Sequence, residues 1–191
     1  MGWPTYAWLP YLNNRFAGKF EFVHLVRNPF HTAASLLSHG QHVGDSFVSK
    51  VVIFGSDPHL AYPEFRDSYA GFSPYERCLY HWLELNRFLL DYSGLPSSRG
   101  VFRFEDLYQS EDSKLQELAS VILNRPVASL SSVAVDRAHR ALVEPIQIDN
   151  QSLIRAVLDL SIQLGYDEDE LQETLNISAI AKRYGSLRLV A

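Results

Sequence analysis

Arg27 and Ser35 carry the clearest chemical potential in this chain. Arg27 follows the run Phe20-Glu-Phe-Val-His-Leu-Val, Asn28-Pro29 comes next, and Ser35 lies eight residues on, within Thr32-Ala-Ala-Ser-Leu-Leu-Ser. A guanidinium donates two parallel, charge-assisted hydrogen bonds to one oxyanion. Held together with a serine hydroxyl at this spacing, it suits a phosphate group.

The elements that must position these two residues are legible around them. Val23, Leu25 and Val26 are apolar and β-prone, so the run before Arg27 reads as a buried strand. Asn28-Pro29 is turn chemistry, and the stretch from Thr32 favours helix, with Pro29 at or just before the first turn. Arg27 is therefore expected at the carboxyl end of a strand, where open α/β sheets bind their ligands. Ser35 is expected about two turns into the helix.

Other candidates are weaker. His39-Gly-Gln-His42 has a His-x-x-His spacing, but no third zinc ligand stands at a recognisable distance. Cys78 lies in an apolar helical stretch and reads as a packed core thiol. His24 alternates with Val23 and Leu25 and reads as a satisfied sheet histidine. Glu21 and His24 are the only Glu or His ahead of Arg27, and neither is assigned as a general base.

Trp8, Leu9, Leu12 and Phe16 mark an amphipathic helix with Pro10 in its first turn or at a kink, ended by Ala17-Gly18-Lys19. Its leading aromatics, Trp3, Tyr6 and Trp8, read as core packing. Residues 43 to 71 are punctuated by Asp57-Pro58 and Tyr62-Pro63. So long an irregular stretch more often covers a ligand than merely connects, which makes it an acceptor-side loop. Ser73-Pro74-Tyr75-Glu76 is a capped start for a helix reaching Leu90, stopped by Gly94-Leu95-Pro96. Gly100 to Leu107 reads as a second strand ending in Glu105 and Asp106, carboxylates that suit capping the next element or pairing with an Arg. Helical spacing returns at 114–123 and at 153–164, with Gly165 as the stop of the latter. Asp167-Glu-Asp-Glu170 reads as a solvated helix start.

Composition sets the frame. A chain of 191 residues with 47% apolar content is expected to form a single domain over residues 1–191. Net charge of -5 and a pI near 5.8 provide no general basic field for nucleic acid or anionic lipid. One cysteine excludes an internal disulfide framework and fits a reducing compartment. With no apolar run of membrane length and no secretory pattern, a cytoplasmic location off the membrane is expected.

Arg27-Asn28-Pro29 followed by Ser35 resembles the 3′-phosphate-binding motif of the sulfotransferase family. A second match follows in order. Trp82 and Asn86 on a helix precede Phe104-Glu105-Asp106-Leu107, which is similar to the family's Tyr-Glu-Asp-Leu-like run with Phe104 replacing the tyrosine. The resemblance implies an α/β, P-loop-NTPase-like three-layer fold with a short parallel sheet and many helices. It implies transfer of a sulfuryl group from 3′-phosphoadenosine-5′-phosphosulfate (PAPS), without a metal, to a hydroxyl or amine of a small-molecule or glycan acceptor. Arg27 and Ser35 would grip the donor's 3′-phosphate. Lys182-Arg183-Tyr184-Gly185 is loosely similar to the basic C-terminal segment that closes the nucleotide site in some members.

One expected part is missing. The family places a phosphate-cradling loop and a lysine on an N-terminal strand-loop-helix, yet the sequence has no Gly-x-x-x-x-Gly-Lys-[Ser/Thr] and no Lys-Ser-Gly-Thr-like run. The fold is accordingly expected to be N-terminally incomplete, covering the later part of the family's domain. A sheet without its first strand would expose strand edges, implying a homo-oligomer or a partner that supplies the strand. The alternative is a non-catalytic nucleotide-binding or protein-interaction module derived from the same fold.

Overall fold

The computed structural model describes residues 8–16, 18–43, 53–108, 113–128, 130 and 141–184. Among them the chain is mixed α/β. In order it forms α1 (Leu9–Arg15), β1 (Phe22–Val26), α2 (Pro29–Ser38), α3 (Pro74–Asp91), β2 (Ser98–Arg103), α4 (Ser113–Leu123), α5 (Gln151–Gln163), α6 (Glu168–Thr174) and α7 (Ile177–Tyr184). The two strands form a parallel sheet. No helix among the described residues is long and apolar enough to cross a membrane. The chain divides into two compact units, Met1–Arg27 with Leu89–Arg137, and Asn28–Phe88 with Ala138–Ala191.

In the first unit β1 and β2 pair with His24 opposite Val101, Leu25 opposite Phe102 and Val26 opposite Arg103. The ladder is irregular between Phe22 and His24, where β2 carries an extra residue and Gly100 adopts φ 106. Side chains alternate across a strand. In β1, His24 and Val26 are buried, whereas Leu25 is 49% exposed. The expectation of a strand buried throughout is thus corrected for Leu25, while Val23, on the same face, packs against a core. Phe102, Leu107 and Leu118 form a small core with Val23, Leu115 and Val121 against it. In α1, Pro10 falls within the first turn and Leu9 is buried. Trp8 is 60% exposed rather than packed in a core, while Trp3 and Tyr6 lie outside the described residues.

In the second unit α2 buries Phe30, Ala33, Ala34 and Leu37 completely, and α3 buries Tyr75, Cys78, Leu79 and Leu83. Ser73 and Glu76 close a capping box. The Glu76 N–H donates to Ser73 Oγ (3.2 Å) and the Ser73 N–H to Glu76 Oε2 (2.9 Å). The other oxygen of Glu76 accepts from the Asp149 and Asn150 N–H groups at 2.7 and 2.6 Å, fastening the start of α5 to the start of α3. Gly165 ends α5 at φ 89, and Asp167 caps α6 by accepting from the Asp169 and Glu170 N–H groups. α7 packs against α2.

Candidate anion-binding site

Arg27 follows directly on β1, the last residue of the first unit, as its position after an apolar strand predicts. Its guanidinium lies over the Phe104 ring, 5.2 Å from the centroid. Phe104 is brought there by its N–H, which donates to the Val26 carbonyl at 2.7 Å just beyond the end of β2. A cation over an aromatic face is held electrostatically by the ring quadrupole. The residue at position 104 therefore supports Arg27 without any need for a hydroxyl. Beside it, Asp106 pairs with Arg103 at 3.5 Å, in the 3-10 turn Glu105–Tyr108. Asp106 thus has the structural role expected of it. The second strand ends at Arg103, earlier than the reading to Leu107, because the chain turns at Phe104 and the Leu107 N–H bonds to its carbonyl.

Ser35 sits in α2, half-buried, in the second unit. Asn28 starts that helix. Its side-chain oxygen accepts from the Phe30 and His31 N–H groups at 3.0 and 3.2 Å, and its amide donates to Thr174 Oγ1 at 3.1 Å. The sequence marks Asn28-Pro29 as a turn; the structure makes Asn28 the N-cap, with Pro29 at the first position. The first turn of α2 also meets the end of α7. Tyr184 donates its hydroxyl to the His31 carbonyl at 3.0 Å, and Arg183 Nη1 lies 3.4 Å from His31 Nε2. Arg183 thus lies by the first turn of the helix that carries Ser35. Gly185 lies outside the described residues.

Cys78 is fully buried, its thiol 3.8 Å from the Gln41 carbonyl, and burial pushes its pKa up. It is a core thiol. His24 is buried in β1. Trp82 and Asn86 are both buried, and Asn86 Nδ2 donates to the Trp82 carbonyl at 2.7 Å, one turn back in α3. Among the described residues no three His, Cys, Asp or Glu side chains gather as a metal site. His42 lies beyond α2 at φ 62, its ring edge-on to Phe54. Burial, then the nearby His81 and Arg77, lowers its pKa to about 3.

Sequence reasoning missed a polar stripe on α3. Arg77, His81 and Glu84 all engage the irregular segment that precedes that helix. The signal was present, since the three residues recur at helical spacing along α3. Part of that segment, residues 44–52, lies outside the described residues. Phe54, Gly55, Ser56, Pro58, Arg66, Tyr69 and Ala70 line an open cleft of about 550 Å³.

No family model, no curated protein and no solved structure matches the chain.

Proposed function

We propose that this chain is a sulfotransferase-like domain. It binds PAPS through its 3′-phosphate and, where the site is complete, passes the sulfuryl group to an acceptor hydroxyl or amine of a small molecule or glycan. One observation carries the reading: a β strand ends at Val26, Arg27 follows it directly, and a helix begun by Asn28-Pro29 presents Ser35. The parallel partner strand leads into the Phe104-Glu105-Asp106-Leu107 turn, and Phe104 supports Arg27. In this reading the fold is the three-layer P-loop-NTPase-like one, the setting is cytoplasmic, and the segment before α3 faces the acceptor. The acceptor oxygen or nitrogen attacks sulfur, the bond from sulfur to the 5′-phosphate oxygen breaks, and adenosine 3′,5′-bisphosphate leaves with the bonding pair. The acceptor proton passes to a base that these residues do not assign.

Calorimetric titration with adenosine 3′,5′-bisphosphate tests this. Arg27→Ala removes charge-assisted hydrogen bonds to the phosphate and is expected to weaken binding by about 1.5–3 kcal/mol. Equal binding by the parent and Arg27→Ala would defeat the assignment.

A second reading rests on the missing phosphate-cradling loop, together with the two-stranded sheet of the described residues. In it the chain is a non-catalytic module that keeps nucleotide or partner binding without turnover. A partner, or a second copy, would supply a further strand. Sulfuryl transfer by the purified chain to any acceptor rules this out.

A further inference from the structure

Residues 53–72 lie along one stripe of α3 and are fastened there through their own main chain. Arg77, His81 and Glu84 stand at i, i+4 and i+7, on one face of the helix. Arg77 Nη2 donates to the Ala70 carbonyl at 2.9 Å. His81 Nδ1 accepts from the Ile53 N–H at 3.0 Å. The Glu84 carboxylate accepts from the Ala61 and Tyr62 N–H groups at 2.7 and 3.0 Å. Between these fasteners Phe65, Tyr69 and Phe72 pack on Tyr80 of α3. The two limbs of the segment press together: a Cβ added at Gly55 would lie 2.5 Å from Tyr69 Cβ. Those limbs, Phe54 to Pro58 and Arg66 to Ala70, are the walls of the 550 Å³ cleft.

Of the three fasteners, the imidazole is the one that reverses its hydrogen-bonding role near neutral pH. Accepting at Nδ1 requires a neutral ring with its proton on Nε2. A charged ring would turn a donor toward the Ile53 N–H. Burial disfavours that charge. Arg77 and Glu84 share the face of His81 on α3, His42 beyond α2 interacts with this ring electrostatically, and Tyr69 and Asp57 bond to Ile53 and Phe54 of the segment. Both carboxylates are engaged by main-chain amides, Asp57 by the Phe54 N–H at 2.8 Å. Burial keeps the Cys78 thiol and the Tyr69 and Tyr80 phenols neutral. Arg77 adds positive charge.

We propose that His81 is an acid-sensitive latch: neutral, it ties Ile53 to α3 and keeps the cleft formed, and protonated, it releases the segment and dismantles the cleft. Burial lowers the pKa of the latched ring to about 4. Release returns it toward the ordinary value of about 6.5. The released state therefore binds more protons between those values, and release is favoured progressively as pH falls below about 6.5. The latch acts on the segment that the proposed function turns toward the acceptor, but it does not depend on sulfuryl transfer.

Hydrogen exchange read by mass spectrometry on the full chain carrying His42→Asn, so that the buried ring packed on Phe54 does not titrate as well, at pH 7.0 and 5.0 and corrected for the intrinsic exchange rate, tests the latch. A single ring taking up a proton from pH 6.5 downward permits up to about a 30-fold loss of protection by pH 5.0. A loss of roughly 10- to 30-fold is expected in peptides covering residues 53–62, with α5 unchanged. His81→Asn keeps an acceptor near the Nδ1 position but does not titrate, and should remove the pH dependence. Equal protection at the two pH values, or the same loss in His81→Asn, overturns the proposal. Should the variant fail to fold, a nuclear magnetic resonance titration of the parent decides: a neutral His81 ring protonated at Nε2 down to pH 5 supports the latch, and a charged ring by pH 6 overturns it.

Discussion

Glu76 shows how much one side chain can organise. It is 2% exposed and accepts main-chain hydrogen bonds from Ser73, Asp149 and Asn150. Hydrogen bonds to a charged group contribute about 1.5–3 kcal/mol each and do not add fully, so Glu76→Ala is expected to cost roughly 3–5 kcal/mol. Urea unfolding measures this, and a loss below about 1 kcal/mol would mean that water replaces the carboxylate. Half of this role was legible: Ser73-Pro-Tyr-Glu76 reads as a cap from sequence alone. The other half was not, because 73 positions separate Glu76 from Asp149 and no local pattern announces that contact. Arg27 follows the same division. Its place after a strand is written in its neighbours, whereas the ring beneath it belongs to Phe104, far along the chain. Asn28 was half-read in a similar way. Its turn chemistry was recognised, but the bond of its amide to Thr174 joins residues 146 positions apart.

At the scale of elements, helix starts and stops were the most readable features because their chemistry is local. Ser73 and Asp167 cap as their types predict, and Gly165 ends α5 where it was expected. At φ 89, Gly165 occupies a conformation that disfavours a side chain, although nothing lies within 4 Å of an added Cβ. Gly165→Ala is therefore expected to cost about 1–2 kcal/mol through the backbone alone. Gly165→Asn should recover part of that loss, since asparagine tolerates the left-handed region. Equal thermal midpoints for all three chains would contradict it. Strands were less readable. The apolar, β-prone run identifies β1 as a strand but does not say that Leu25 stands exposed while Val23, on the same face, packs against the core. The end of β2 moved to Arg103 because a turn at Phe104 competes with extension of the ladder. The first outcome depends on contacts from elsewhere in the chain, whereas the second is set by the local turn from Phe104 to Leu107.

For the molecule as a whole, acid is the informative stress. His42 is held neutral with a pKa of about 3, chiefly by burial, whereas an unfolded chain returns it to about 6.5. The unfolded state thus binds more protons between these values. The stability contribution is full above about pH 6.5 and falls as the pH drops toward 3, by up to about 1.4 kcal/mol per pH unit. By pH 5 this one ring is expected to remove about 2 kcal/mol. His42→Asn, compatible with φ 62, should flatten that part of the profile in urea unfolding at pH 7 and pH 5. An unchanged slope would mean that His42 is already charged in the folded chain. The mixed α/β class was legible at this scale from alternating strand and helix patterns, while the parallel pairing of β1 with β2 rested on resemblance. The sheet also bears on synthesis. Its strands are far apart in the chain, with Glu21 ahead of β1 and Arg99 in β2 separated by 78 positions. At about 5–20 residues per second, β1 leaves the ribosome roughly 4–16 seconds before its partner exists. During that interval an apolar strand with unpaired backbone is open to other chains, so a chaperone that shields it has a defined moment to act.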